Sequence, residues 1–133
     1  MSNIKNFFKS KKKNQENKKF KLPNFGDAEF EIKVLTSDEL EKINAIATTH
    51  KVGKNGKQVQ IVNEAVINRE MCVRSLVVPD LNDAELQKDW GCMGASELFG
   101  KMFDWYEAAQ ILKEVSKIAG IEDINQEIDE AKN

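Results

Sequence analysis

The sequence predicts a mainly α-helical domain with a small antiparallel β element near its N-terminus and one long helix in its C-terminal half. Three observations carry this. Apolar and polar residues alternate through Phe20-Lys-Leu22 and Phe30-Glu-Ile32-Lys-Val34, the two-residue period of half-buried strands. Helical spacing takes over at Leu40, Ile43, Ile46 and Ala47. From Ala95 to Ala119, a stripe of Leu98, Phe99, Met102, Phe103, Tyr106, Ala109, Leu112, Val115 and Ala119 follows one helical face. As a single helix it would run about 37 Å at 1.5 Å per residue.

The elements follow in order. Residues 1–19 form a lysine-rich arm, expected to be disordered, with Ile4, Phe7 and Phe8 as one short apolar face. Pro23-Asn-Phe-Gly26-Asp separates two alternating stretches and suits the turn of a hairpin. Thr36 and Glu39 have the spacing of a capping box, which starts helix one over Ser37 to Thr49. Asn55-Gly56 marks a tight turn that would flank short strands through Val59 and Ile61. A second helix follows Asn63 and runs to Val77, burying Val66, Val73, Leu76 and Val77, before Pro79 stops it. Asn82 and Glu85 are an N-cap pair for a short helix ending near Trp90, with Gly91 as its left-handed cap. After Gly120, Ile121, Ile124 and Ile128 make a narrow apolar seam on a segment of net charge −4. The domain itself thus covers residues 20–120, followed by an acidic helix or tail at 121–133.

The charge is divided unevenly. With 133 residues, 41% of them hydrophobic, the chain holds one domain's worth of core. Residues 1–22 carry eight lysines against Glu16, whereas residues 23–133 carry twelve basic and twenty-one acidic side chains. A cationic arm is therefore joined to an acidic body, and it suits an anionic partner such as RNA, lipid head groups or an acidic protein surface. No apolar run approaches the roughly 18–20 residues that span a bilayer, and MSNIKNFFKSKKK lacks the apolar core of a secretory signal. Two cysteines, Cys72 and Cys92, suit a reducing, cytoplasmic setting.

A search for catalytic chemistry finds none. His50, the one histidine, falls at the expected end of helix one, where the helix dipole would stabilise it. Cys72 and Cys92 lack the CxxC spacing and further ligands of a zinc site and are expected to be small, buried hydrophobes. Gly53-Lys-Asn-Gly56-Lys57 has too few residues between its glycines for a phosphate loop, and Gln58 follows where Ser or Thr belongs. Asp80, Asn82, Asp83 and Glu85 lack the glycine and spacing of a calcium loop. The reading is a binding protein, not an enzyme, with no cofactor and no metal.

Pro79-Asp-Leu-Asn-Asp-Ala-Glu-Leu86-Gln, then Trp90-Gly91, Met93-Gly94-Ala95, Glu97-Leu98 and Lys101-Met102, resembles a stretch of the XkdN-like phage tail assembly chaperones. Upstream, Phe30-Glu-Ile-Lys and Leu35-Thr-Ser-Asp-Glu-Leu40 look like that family's aromatic-Glu-Ile-Arg strand and Leu-Thr helix start. The resemblance covers residues 20–121. Family members often carry Pro-Gly-Glu-Tyr in the last segment, where this chain has Phe103-Asp104-Trp105-Tyr106-Glu107. Loss of that breaker implies one uninterrupted helix.

The resemblance implies a protein absent from the mature virion that acts in the host cytoplasm. Its partners would be the tape measure protein, kept soluble, and the tail tube protein, whose subunits it helps recruit. It leaves room for a homo-oligomer and gives no role to a membrane. Leu81, Leu86 and Trp90 in the distinctive motif, with Ile121, Ile124 and Ile128 in the terminal seam, are the candidate partner-binding residues. The rival reading from the residues themselves is a small nucleic-acid-binding regulator that works through the lysine-rich arm.

Overall fold

The computed structural model describes residues 3–120. Before the first strand, Ile4–Phe7 and Lys9–Lys11 form two 3-10 turns, the first capped by Asn3, whose side chain accepts from the Lys5 amide. The N-terminal hairpin is present as expected. Strand β1 (Lys18–Lys21) pairs antiparallel with β2 (Glu29–Ile32), and Phe20 sits opposite Phe30 with their rings stacked at 5.6 Å. The 3-10 turn Pro23–Phe25 and the left-handed Gly26 (φ 62°) reverse the chain between them.

Helix α1 (Ser37–Ala47) starts at the expected capping box. The Thr36 amide donates to Glu39 Oε1 at 3.0 Å, and the Glu39 amide donates to Thr36 Oγ1 at 3.2 Å. The helix ends two residues early because Thr48 and Thr49 leave it for strand β3 (Thr48–Val52), which pairs in register with β4 (Gln58–Val62). Both strands are rich in β-branched residues, which pack better on a pleated surface than in a helix. His50 consequently lies exposed on β3, not at a helix terminus.

Helix α2 (Glu64–Ser75) begins under Asn63, whose side chain accepts from the amides of Ala65 and Val66. It stops at Ser75, two residues short of the expected end. Leu76–Val78 instead form β5, which adds to β2 and completes a three-stranded sheet in the order β1-β2-β5. Val77 is therefore exposed, and Val66 and Val73 are half-buried. Leu76 is buried as expected. Helix α3 (Ala84–Asp89) is capped by Asp83, not Asn82: Asp83 Oδ1 accepts from the Leu86 amide at 2.9 Å. Gly91 follows with φ 67°, the left-handed cap that was anticipated.

The single long helix is not found. The Ala95–Ala119 segment divides into α4 (Ala95–Met102) and α5 (Trp105–Ile118), separated by Phe103 and Asp104 in extended conformations. Asp104 N-caps α5, and Glu107 reaches back so that the Asp104 amide donates to its Oε1 at 2.9 Å. A polar cap thus breaks the helix without proline or glycine. The break also resets the helical phase. Glu107, Ile111, Glu114 and Val115 face inward, while Tyr106, Ala109 and Ala119 of the expected stripe are exposed.

With five α-helices and five strands in two sheets among the described residues, the architecture is mixed α/β and not mainly α. The inner face of the three-stranded sheet supplies Phe30, Ile32 and Leu76 to a core that α2 (Cys72), α4 (Leu98, Phe99) and α5 (Ile111, Val115) cover from the other side. Phe103, at the break, joins Phe25, Phe30 and Phe99 with ring centroids 5.1 to 5.8 Å apart. Burying each such side chain contributes roughly 1.5–3 kcal/mol. Two buried carboxylates on α5 fix it across the hairpin. Glu107 Oε2 accepts from Asn24 at 3.4 Å, and Glu114 pairs with the Lys18 ammonium while accepting from Gln110.

Candidate partner-binding groove

The phase reset places a groove between α2 and α5. On one wall stand Ala65, Asn68, Arg69 and Cys72; on the other, Trp105, Ala108, Ala109 and Leu112. Each set repeats at i, i+3, i+4 and i+7, so each wall is one continuous helical face. Phe99 of α4 closes the floor, and the groove encloses about 320 Å³. Three alanines along the walls keep it wide enough for another backbone to approach. Trp105 stands at the rim with 84% of its surface exposed, and Tyr106 meets it edge to face with centroids 6.0 Å apart. Exposed indole beside an apolar trough is a common anchor at protein interfaces.

The groove's polar character is limited to one rim. Burial pushes the Cys72 thiol up to about 12, so it remains a neutral, apolar part of its wall. Arg69 supplies the positive charge, and it has no carboxylate within ion-pair distance among the described residues. Its guanidinium lies against Gly100. A Cβ built there would lie 3.1 Å from Arg69 Nη2, so the missing side chain leaves room for the guanidinium. The arrangement can hold an amphipathic helix that has an acidic residue beside its apolar stripe.

A larger concavity, of about 780 Å³, lies beside β5 and includes Asp80 and Asn82. Its polar groups are partly engaged with one another, although Arg74 Nε is buried without a hydrogen-bond partner. Glu70 pairs with Arg74 at 3.7 Å and accepts from the Ser96 hydroxyl. Asp80 accepts from the Asn82 amide at 3.0 Å, closing its own turn. Among the described residues, no group of three or more His, Cys, Asp or Glu side chains could hold a metal ion. No helix among them is long and apolar enough to cross a membrane.

Of the residues selected from the sequence, Leu81, Leu86 and Trp90 do not line this groove. Leu81 is 2% exposed and belongs to the core, and Leu86 is half-buried against it. Trp90 retains 38% of its surface. Gln87 knots this segment together: its Nε2 donates to the Leu81 carbonyl at 2.7 Å, while its Oε1 accepts from the Gly94 amide at 3.0 Å. Ile121, Ile124 and Ile128 lie outside the described residues. Trp105 escaped the sequence reading because a continuous helix puts Tyr106, not Trp105, on the apolar stripe. The Asp104-x-x-Glu107 spacing was the available signal for the break.

Comparison with known proteins agrees with this architecture. A crystal structure of the protein yqbn aligns with a TM-score of 0.70 over 90% of this chain and 98% of that one, at 16% sequence identity, so the two share a fold. No curated protein matches the chain. Residues 4–132, nearly the whole sequence, match the family described as phage XkdN-like tail assembly chaperone protein. The chain belongs to the XkdN-like phage tail assembly chaperone family.

Proposed function

We propose that this protein binds the phage tape measure protein through the α2–α5 groove, keeps it soluble before assembly and helps recruit tail tube subunits, without entering the mature virion. Membership of the tail assembly chaperone family is the observation that carries this reading. The groove supplies a mechanism. Long helical proteins awaiting assembly expose apolar stripes, and a trough with two walls at helical spacing covers such a stripe by helix-in-groove packing. Trp105 anchors the bound helix, and Arg69 selects one with a carboxylate beside its stripe. The acidic surface of the body keeps the complex dispersed in the host cytoplasm.

Co-expression with the tape measure protein from the same phage tests the reading. The expected result is more soluble tape measure protein and a co-eluting complex. Ala109→Glu, which places a charge in the trough, should abolish both, and Trp105→Ala should weaken them. Neither position is buried, so both variants should unfold close to wild type. Unchanged tape measure solubility with wild-type protein would falsify the proposal.

The exposed Lys5, Lys9, Lys11, Lys12 and Lys13 favour a second reading, as a nucleic-acid-binding regulator. RNA or DNA affinity that falls steeply with salt, and vanishes when residues 1–16 are removed, would support it. That deletion spares Lys18, which the sheet and Glu114 hold in place.

A further inference from the structure

Strands β3 and β4 stand apart from the core. Of their ten residues only Thr48 is even half-buried, and Val52, Val59, Ile61 and Val62 each expose 42 to 74% of their surface. No other strand among the described residues joins this sheet. A lone two-stranded hairpin is marginally stable in water and gains from further strands that share its apolar face.

The hydrogen bonds fix which backbone groups are left over. The Gly53 amide donates to the Lys57 carbonyl at 2.8 Å at one end of the ladder, and the Asn63 amide donates to the Ala47 carbonyl at 2.9 Å at the other. Alternation between these ends makes Thr49–Ile61 and Lys51–Val59 the bonded pairs. The amides and carbonyls of Gln58, Gln60 and Val62 therefore point away from β3, along the free edge of β4. That edge lacks the usual guards: Gln58–Val62 carries no charge, no proline and no shift of register.

The edge is also complementary to itself. Antiparallel pairing centred on Gln60 matches all five residues of β4 with those of a second copy, and sets Val59 opposite Ile61 on one face. Lys57 then falls opposite Asn63 of the second copy, next in sequence to Glu64. The two Lys57 residues end up about 20 Å apart along the strands. The same operation on β3 would put His50 against His50 and bring the two Lys51 ammoniums diagonally together. Charge and register thus select β4, and a second copy as its occupant.

We infer that two copies of this chain associate edge to edge through β4, forming a four-stranded antiparallel sheet of order β3-β4-β4-β3 with a two-fold axis at Gln60. So small a contact makes the association weak and concentration-dependent. The inference rests on neither the groove nor the tape measure reading.

Sedimentation equilibrium of the full-length protein, from low to high micromolar concentration, tests it. The expected result is a reversible rise from one chain mass towards two. Over the same range, NMR should show amide exchange slowing more at Gln58, Gln60 and Val62 than at Val59 and Ile61. Gln60→Pro removes an outward donor and no bond inside the hairpin, so it should hold the chain monomeric with wild-type circular dichroism. If that variant unfolds, Ile61→Lys serves instead, since it sets two lysines diagonally across the axis. Val52→Lys, on the far strand, should leave the dimer intact. A chain that is monomeric at every concentration would overturn the proposal, as would a dimer that survives Gln60→Pro and Ile61→Lys or is lost with Val52→Lys. Protection of the β4 amides that appears only on adding tape measure protein or RNA would give the edge to that ligand and overturn it as well.

Discussion

Thr36-x-x-Glu39 and Asp104-x-x-Glu107 place the same helix-starting signal in opposite surroundings. The first sits at the surface, where Glu39 is half-buried and its other oxygen meets Lys33 at 3.5 Å. The second is built into the core's edge, where Glu107 is 4% exposed and bonds to both the Asp104 amide and Asn24. At the surface the cap only says where a helix begins. At the core's edge it also ends the helix before, turns the chain through Phe103, and decides which face of α5 points inward. Position in the fold, not local chemistry, sets how much one carboxylate controls.

Substitutions can break or sharpen this contrast. Phe103→Ala, at the buried corner, removes a ring that touches three others and should cost about 3–5 kcal/mol in denaturant unfolding. Leu40→Ala, in the first turn of α1, should cost much less, because Leu40 is more than a third exposed. Glu107→Ala leaves the Asp104 amide without its acceptor, while Asn24 keeps the Tyr106 hydroxyl at 2.6 Å, and should cost roughly 1–3 kcal/mol. An equal loss for Glu39→Ala would erase the contrast. Thr36→Ala removes one exposed cap and should cost about 1 kcal/mol by the same measurement.

The smallest effect is in pH. The Thr36 backbone amide, helped by the charge of Lys33 and opposed by desolvation, holds the Glu39 carboxyl below its ordinary value of 4.5. A carboxyl lowered by folding stabilises the protein fully above that ordinary value, and the contribution is lost as pH falls through the folded one. The stability gap between wild type and Glu39→Gln, which removes the charge and keeps the Thr36 amide, should therefore narrow over that acidic range. A gap that widens on acidification would assign the cap's strength to something other than the ionised Glu39.

The same contrast explains what could be read from the sequence. Alternation at Phe20–Val34 and the box at Thr36 were legible because each stands at a change of period, with polar residues around it. The box at Asp104 sits inside a run of apolar residues that also fits one helix, and periodicity alone does not separate the two. Strand β5 was hidden for a related reason. Leu76-Val77-Val78 extends the spacing of α2, and only pairing with β2, more than forty residues away, makes it a strand. For the site, Leu81 and Leu86 stood out by the resemblance of their segment to the family's, a segment that Gln87 knots together. The groove left no motif, since its two walls come from separate helices and its anchor depends on the phase of the second.

Strand β5 also has a consequence for synthesis. Ile32 pairs with Leu76, so the central sheet cannot close until the chain between them has left the ribosome. Helix α1, the β3–β4 hairpin and α2 are built from near neighbours and can form during that interval. The second wall of the groove arrives later still, with Trp105 to Leu112. A nascent or truncated chain is therefore without its groove, which is complete only when α5 docks.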